Sequence, residues 1–478
     1  MTIERQAASG LKWTAASKIV AQVAGWVVTL WVIRLLAPSD YGLLAMVAVA
    51  ISVASTIAEL GLGASVVQAR SLPREQLSKV AGLVVLLNLG VGAAVFISAP
   101  LVAWAFDEPR LTALTRVMSL QFGISAVGAM PQALMARELK FKQIAWIELA
   151  SGLTSSMATL ALALMSAGVW SVALGGLAGG AMRSLLLVVF GENVRPDFRL
   201  RGVGAHLSYG GTITLTRIGW DLIWQSDIVV ASRFLSTSAI GTYSVSLHLA
   251  TLPMQKIMSV VNQIAFATVA SLQSEPDRMK DGLLAAFRLA TLVSVPLLWG
   301  LSSCAHEVVH ILLGAKWEGA VFPLQVISLV IPLRLVSGIM VTAVQAVGRT
   351  KVYLQNMLVG AVVFPTTFLI GAQWGLEGLA IAWPVAWFVN FAATFPRVAA
   401  AIDLSLQRIV SAVRGPLIAG IPMVLAVVAT RLVTRELNEL LRLPLLVLVA
   451  AAVYGVAVTM LNRSIWGEVR RFLRATRG

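Results

Sequence analysis

The chain has 478 residues, of which 58% are hydrophobic and only 12% are charged, whereas about 25% of residues are charged in an average soluble domain. This composition predicts an integral membrane protein and excludes a large attached soluble module such as a nucleotide-binding motor. The formal net charge of +15 is interpreted as a signal for membrane topology, because cytoplasmic loops are rich in Lys and Arg. No nucleic-acid partner is needed to explain it. The single cysteine excludes an intramolecular disulfide.

Apolar stretches long enough to cross a bilayer recur along the chain, and about fourteen are expected. Their approximate limits are 13–36, 42–67, 80–105, 111–135, 144–166, 171–190, 207–232, 240–264, 284–312, 321–347, 352–372, 376–396, 416–433 and 444–462. Turn-forming residues such as those at 38–42 and 107–110 separate them. The predicted fold is therefore an all-α integral membrane protein with about fourteen transmembrane helices.

Lysine and arginine are concentrated in alternate connections. They dominate the connections 68–79 and 136–143 and the C-terminal tail, and they are sparse in the connections on the other side. Cytoplasmic loops carry the excess of Lys and Arg in membrane proteins. This asymmetry predicts that both termini are cytoplasmic, and the basic loops are expected to attract anionic lipid headgroups.

Three short matches indicate an internal repeat of six spans. In chain order they pair 34–42 with 233–241, 117–120 with 326–329, and 168–174 with 375–381. Because six is an even number, the two halves should be related by an axis along the membrane normal. We expect two pseudo-symmetric six-helix lobes with a cavity between them and a peripheral C-terminal pair of spans. Their predicted limits are 1–200 for the N-lobe, 201–400 for the C-lobe and 401–478 for the last two spans and the basic tail.

Ionisable residues inside the spans are candidates for a water-filled pathway, because a charge in the bilayer centre is costly. These candidates are Lys18, Glu59, Arg217, Asp221, Asp227, Lys256 and Arg334. Lys18 and Arg217 lie 199 positions apart, as the first repeat match does, so they occupy equivalent positions of the two lobes. Helical spacing places Gln22 beside Lys18 and Trp224 beside Arg217. Two facing cations predict a cavity for a substrate with concentrated negative charge, such as a phosphate or diphosphate.

A structural interpretation of the same charges stays open. Arg217 and Asp221 are one turn apart and would neutralise each other, while Lys18 would extend to the cytoplasmic headgroups. Lys256 and Arg334 are candidates either for the cavity or for structural pairs with the acidic residues of the spans.

Residues 306–310 spell HEVVH, the helical motif in which two histidines bind zinc and the glutamate acts as general base. A zinc protease also needs a third ligand. Asp403 belongs to a loop at the opposite membrane face, and Glu318 follows too closely for the usual helix-turn-helix delivery. We therefore expect no metal site, and we interpret the motif as polar residues near the outer headgroups.

Four segments carry a family resemblance: 35–46, 59–68, 137–141 and 313–317. They resemble bacterial polysaccharide biosynthesis exporters, most closely the Wzx-type flippases of the colanic acid and succinoglycan branch of the multidrug/oligosaccharidyl-lipid/polysaccharide superfamily. The resemblance extends over nearly the whole chain. The family commonly has Asp before the glycine pair, where this chain has Glu59.

The resemblance implies a flippase of the bacterial inner membrane. Such a protein moves undecaprenyl-diphosphate-linked oligosaccharide repeat units to the periplasmic leaflet by alternating access, for exopolysaccharide, capsule or O-antigen biosynthesis. Lys18 and Arg217 would bind the diphosphate, and Glu59, Asp221 and Asp227 would be available for coupling to an ion gradient. The implied partners are the lipid-linked oligosaccharide, membrane lipids, and the polymerase and chain-length components of the pathway. No cofactor and no enzymatic activity are expected.

Two other function classes stay open. A multidrug/cation antiporter of the same superfamily would favour an acidic cavity, which the two cations argue against. A membrane polymerase or ligase would be expected to have a large periplasmic loop, and the outer connections predicted here are short.

Overall fold

The computed structural model describes residues 25–59, 73–199, 214, 217–271 and 276–461. Within these ranges every regular element is helical, which confirms the predicted all-α class. In chain order the long helices are α1 Gly25–Leu35, α2 Pro38–Glu59, α3 Arg74–Phe106, α4 Arg110–Arg137, α5 Phe141–Leu164, α6 Val169–Phe190, α7 (217–231), α8 Thr237–Ser271, α9 Pro276–Ser303, α10 Val321–Ala346, α11 Thr350–Ala372, α12 Gly375–Ile402, α13 Leu406–Val433 and α14 Glu439–Leu461.

Helix α7 is interrupted by a turn at Gln225, and its second stretch is Ser226–Ala231. Backbone hydrogen bonds from the Gln225 N–H to the Asp221 carbonyl and from the Val229 N–H to the Gln225 carbonyl connect the two stretches. The side chains of α7 therefore keep a helical spacing across the turn.

The helices α1–α14 coincide with the apolar stretches of the sequence, and ten helices in the described ranges are long and apolar enough to cross a membrane. The chain is a multi-pass membrane protein. Helix α3, with 33 residues, is about 50 Å long and exceeds the roughly 30 Å of a hydrocarbon core. Its polar first turns, from Arg74 to Lys79, therefore have room to extend beyond the core.

The chain forms two compact units, Met1–Gly241 and Thr242–Gly478. In the first unit α3 packs on α4, α5 on α6, and α4 on α6. In the second unit α9 packs on α10, α11 on α12, and α10 on α12. Each pairing in one unit thus recurs six helices later, which supports the repeat. The predicted lobe limits at residues 200 and 400 stay predictions.

Within the second unit, the last two helices pack on α9. Helix α13 contacts α9 along its length, and α14 contacts α13. Val295 of α9, Met423 of α13 and Leu446 of α14 are all fully buried in one apolar cluster. The Tyr454 hydroxyl of α14 donates a hydrogen bond to the Leu292 carbonyl at 3.1 Å. Burial of large side chains is thus the main link of this pair to α9.

A reciprocal glycine contact joins the first turns of α2 and α8 within the first unit. A Cβ atom added to Gly42 would lie 1.9 Å from the Thr237 carbonyl oxygen, and one added to Gly241 would lie 1.7 Å from the Pro38 carbonyl oxygen. Only glycine permits so close an approach. The repeat relates Gly42 to Gly241 and Pro38 to Thr237, so the two close approaches are equivalent under the repeat.

Candidate functional site: a polar ladder between α2 and α7

Helices α2 and α7 carry matching rows of polar side chains. We call them the polar ladder, and its six members are Ser52, Thr56 and Glu59 of α2 and Arg217, Asp221 and Gln225 of α7. Residues three or four positions apart share a helix face, so each triplet forms one row. The contacts advance along α2 as they go back along α7, so the two helices run antiparallel. The spacing of polar residues in each span therefore produces the site.

The charged end of the polar ladder is an ion pair between Glu59 and Arg217. Arg217 Nη1 lies 3.4 Å from Glu59 Oε2, and the two side chains are 61% and 69% exposed respectively. Charged side chains in membrane helices face water or protein partners, because contact with hydrocarbon is costly. An exposed ion pair contributes no more than about 1 kcal/mol. Glu59 therefore holds the Arg217 guanidinium only weakly.

The other two contacts of the polar ladder are half-buried hydrogen bonds. One has a carboxylate acceptor, and the other joins two neutral side chains. The Thr56 hydroxyl donates a hydrogen bond to Asp221 Oδ2. The Gln225 amide donates to the Ser52 hydroxyl at 3.2 Å, and that hydroxyl donates to the Val49 carbonyl at 3.1 Å. These contacts satisfy polar atoms that would otherwise be costly in an apolar span.

The structure pairs Arg217 with Glu59 of α2, whereas the structural interpretation of the sequence paired it with Asp221. Asp221 is bonded to a neutral hydroxyl. The partners Ser52, Thr56 and Gln225 were not singled out from the sequence. The signal that finds them is the recurrence of hydroxyl and amide residues on one face of an otherwise apolar helix.

Two further predicted residues of α7 lie beside the polar ladder. Trp224 stacks on Trp220 with ring centroids 5.9 Å apart and planes inclined by 20°. Asp227 is 1% exposed, and its Oδ1 accepts a hydrogen bond from the Ile228 N–H at 2.7 Å. Because Asp227 follows Asp221 by six positions, it lies on a different face of α7, and the structure does not bring it into the polar ladder.

The remaining predicted site residues lie elsewhere or outside the described ranges. In the second unit, Arg334 of α10 lies over the Trp383 ring at 5.6 Å and over the Trp387 ring at 5.8 Å, a cation–π arrangement that stabilises α10 against α12. Lys256 belongs to α8. Lys18 and Gln22 lie outside the described residues, so the facing cations stay a prediction.

The HEVVH motif lies in the connection between α9 and α10. Glu307 is 0% exposed and accepts hydrogen bonds from Arg431 Nε at 2.9 Å and Nη2 at 2.8 Å. Arg442 Nε lies 3.1 Å from the same carboxylate. A general base must reach a water or a substrate proton, and a carboxylate enclosed by two guanidinium groups does not. This geometry argues against the protease interpretation.

Residues 31–322 match the family described as "Polysaccharide biosynthesis protein", which is more than half of the chain. The chain belongs to this family. Its curated relatives include the lipopolysaccharide biosynthesis protein WzxC of Escherichia coli (strain K12), 26% identical over 82% of this chain and 80% of the relative. The succinoglycan biosynthesis transport protein ExoT of Rhizobium meliloti (strain 1021) is 27% identical over 64% of this chain and 63% of its own length. The resemblance to Wzx-type exporters is confirmed.

Two solved structures support the fold. The lipid II flippase MurJ in an inward closed conformation superposes with a TM-score of 0.73, covering 93% of this chain and 98% of that chain at 14% identity. An inward-facing multidrug resistance transporter of the MATE family superposes with a TM-score of 0.61, covering 79% of this chain and 94% of that chain at 15% identity. This member of the polysaccharide biosynthesis family therefore has the fold of these membrane transporters.

Proposed function

We propose that the protein is a flippase that moves polyprenyl-diphosphate-linked oligosaccharide repeat units across the bacterial inner membrane for surface polysaccharide biosynthesis. The observation that carries this proposal is the exposed Arg217–Glu59 pair of the polar ladder in a member of the polysaccharide biosynthesis family. The names of WzxC and ExoT support the class of polymer. The fold shared with a lipid II flippase supports a lipid-linked cargo.

The diphosphate is the part of the cargo that Arg217 would bind. A guanidinium forms two parallel hydrogen bonds with phosphate oxygens, and such charge-assisted pairs are about twice as strong as neutral hydrogen bonds. Since the Arg217–Glu59 pair is exposed and weak, the diphosphate competes with Glu59 for the guanidinium. Lys18, which the repeat relates to Arg217, is the proposed second cation.

Displacement of Glu59 also suggests how binding is coupled to conformational change. A ligand shifts an equilibrium between two conformations by its difference in affinity for them. In the conformation described, Arg217 contacts Glu59 at the end of α2. A bound diphosphate would release that contact and leave the two hydrogen bonds that Thr56 and Gln225 donate. Glu59 and Asp221 are then the proposed carboxylates for ion coupling, since both lie on the polar ladder.

Deletion of the gene tests the proposed cargo. We expect surface polymer to disappear and lipid-linked repeat units to accumulate on the cytoplasmic leaflet, measured by polymer staining and by extraction of labelled polyprenyl-linked sugars. Because the fold is shared with a multidrug transporter, susceptibility to cationic drugs is measured in the same strains. Normal polymer together with broad loss of resistance would favour the antiporter and contradict the proposal.

Substitutions in the charged end of the polar ladder test the site. We expect Arg217→Gln and Lys18→Gln each to abolish polymer export per membrane-inserted protein, and Arg217→Lys to retain part of it because the charge survives. The matched control is Arg183→Gln. Arg183 of α6 pairs with Glu148 of α5 at 3.6 Å, and both are partly exposed, but the pair lies outside the polar ladder. Wild-type export by the Lys18→Gln, Arg217→Gln double variant would contradict the cationic-site proposal.

The proposed topology places both termini in the cytoplasm. Single cysteines at Gln76, in the first turn of α3, and at Glu436, between α13 and α14, are exposed reporters for the two sides. The native thiol of Cys304 is buried, and Cys304→Ser removes any residual background. We expect an impermeant thiol reagent to label position 436 and not position 76 in spheroplasts; the reverse pattern would contradict the orientation.

The proposed partners follow from the proposed cargo. Repeat units delivered to the outer leaflet must be consumed by a polymerase and its chain-length components. The proposed transport step requires no catalytic group or cofactor in the protein. The polymerase or ligase alternative predicts that the purified chain polymerises repeat units, which we do not expect.

A further inference from the structure

Two histidines and two glutamates meet in the second unit where the connection after α9 approaches the start of α14. His306 and His310 are one turn apart, with ring centroids separated by 4.4 Å. Glu318 Oε1 lies 3.7 Å from His306 Nδ1, and Glu318 Oε2 contacts His310 Nε2. The coordinating atoms of His306, His310 and Glu318 all lie within 4.8 Å of one another.

We propose that His306, His310 and Glu318 form a binding site for a divalent transition-metal ion of the zinc class, with Glu439 as the residue that orients both imidazoles. Two imidazoles and a carboxylate are a ligand set that suits zinc. Ligand atoms around tetrahedral zinc lie about 3.4 Å apart, given bonds of roughly 2.1 Å. Small side-chain adjustments therefore suffice to close the site.

The position of Glu439 supports a metal site in particular. Its carboxylate lies 3.6 Å from His306 Nε2 and 4.0 Å from His310 Nδ1, the ring nitrogens that face away from Glu318. A metal-binding histidine commonly donates its second N–H to a carboxylate, which fixes the ring and raises its basicity. Glu318 and Glu439 thus approach opposite nitrogens of the same two rings, as a ligand and an orienting group would.

The local backbone explains how Glu318 reaches the histidines although it follows them closely. Val309–Leu313 form a π-helical turn, a feature often found at functional sites. Gly314 then adopts φ 92°, which favours glycine, and reverses the chain. Trp317 is fully buried and anchors the following 3₁₀ turn, Ala315–Ala320. Helical periodicity alone predicts a third ligand from a second helix, whereas Glu318 comes from this turn.

The motif glutamate has a separate role in this site. Glu307 is held by Arg431 and Arg442, so its carboxylate secures the segment that carries the histidines. We infer metal binding without hydrolysis. A bound ion would link the α9–α10 connection to the first residue of α14.

The test uses the purified full-length protein without a polyhistidine tag, stripped with a chelator and titrated with Zn²⁺ against a chromophoric competitor. We expect one tight Zn²⁺ per chain and a rise in unfolding temperature on Zn²⁺ addition. His310→Ala and Glu318→Gln should each weaken binding by at least about 100-fold, and Glu439→Gln by about 10- to 100-fold, the usual effect of losing an orienting partner.

The matched control is Glu436→Gln, an exposed glutamate of the connection before α14, which should change the affinity by less than twofold. If His310→Ala fails to fold, Glu318→Gln decides, because Glu318 is 57% exposed. Co²⁺ should give the visible absorption of a tetrahedral site in the wild type and not in Glu318→Gln. Zn²⁺ affinity that differs by less than twofold between the wild type and a His306→Ala, Glu318→Gln double variant would overturn the proposal, as would equal affinity for Mg²⁺ or Ca²⁺.

Discussion

The two units each contain a glutamate paired with arginine, and the two pairs differ in exposure. Glu59 and Arg217 of the polar ladder are 69% and 61% exposed, whereas Glu307 is fully buried between Arg431 and Arg442. Removing one partner of a buried pair leaves an uncompensated charge and is strongly destabilising. Removing one partner of an exposed pair has little effect on stability. The same residue types therefore stabilise the fold in the second unit, and in the first we propose that they exchange partners with a ligand.

The largest expected effect tests the buried side of this comparison. Arg431→Met should lower the free energy of unfolding by up to about 3 to 5 kcal/mol, because Glu307 loses its bidentate partner and keeps only Arg442. Glu307→Gln in the same chain should restore much of that loss, since the buried charge is then removed. Thermal unfolding of the purified protein in detergent measures both. A single Arg431→Met variant as stable as the wild type would show that Glu307 does not depend on this contact.

The middle of the polar ladder should show an intermediate effect. Thr56→Val keeps the shape of the side chain but removes the hydroxyl that donates to Asp221, so a half-buried carboxylate loses its hydrogen bond. The expected loss of stability is about 1 to 3 kcal/mol. Thr154→Val of α5 is the matched control, because the Thr154 hydroxyl bonds its own helix at the Ala150 carbonyl. Equal destabilisation by the two variants would mean that the Thr56–Asp221 contact is not specific.

The exposed end of the polar ladder should separate stability from transport. Arg217→Gln should change the free energy of unfolding by less than about 1 kcal/mol, although it is proposed to abolish export. Glu59→Gln should be equally mild for stability. Unfolding curves and export assays of the same variants measure the effects on stability and on transport separately. A loss of several kcal/mol for Arg217→Gln would make the pair structural, like that of Glu307, and would remove the contrast between the two units.

The sequence predicted the helices well because the hydrophobic composition of a span is a property of the span alone. It also marked Glu59, Arg217 and Asp221, since charges are rare in apolar helices. It did not predict that Arg217 pairs with Glu59, because that contact depends on the packing of α2 against α7. Helical spacing instead favoured a pair between Arg217 and Asp221, which lie one turn apart on α7.

In the second unit, too, the sequence predicted the residue types of the site but not their contacts. The HEVVH string was visible, and two histidines one turn apart were expected to share a face. Glu318 is too close in sequence for a ligand delivered by a helix-turn-helix, which is the arrangement that the motif predicts. The π-helical turn and the reversal at Gly314 depend on backbone geometry that residue periodicity does not encode. The approach of Glu439 depends on the packing of α14, which follows more than a hundred residues later.

The smallest expected effect concerns a third charged pair, in the turn between α3 and α4. The hydrogen bond from Arg110 lowers the pKa of Glu108, and the Thr237 hydroxyl, which donates to the same carboxylate at 3.0 Å, lowers it further. A lowered folded-state pKa stabilises the protein above the ordinary carboxyl pKa, and this contribution is lost as the pH falls through the lowered value.

The expected difference in unfolding free energy between the wild type and Glu108→Gln is therefore below about 1 kcal/mol near neutral pH, because the Arg110 side chain is largely exposed. It should shrink as the pH falls through the carboxyl range, where both forms become neutral. Unfolding temperatures recorded from about pH 7 to about pH 3 test the sign, with Glu436→Gln as the exposed control. A difference that grows on acidification would mean that Glu108 is stabilised in its protonated form, and that the contact with Arg110 does not govern this turn.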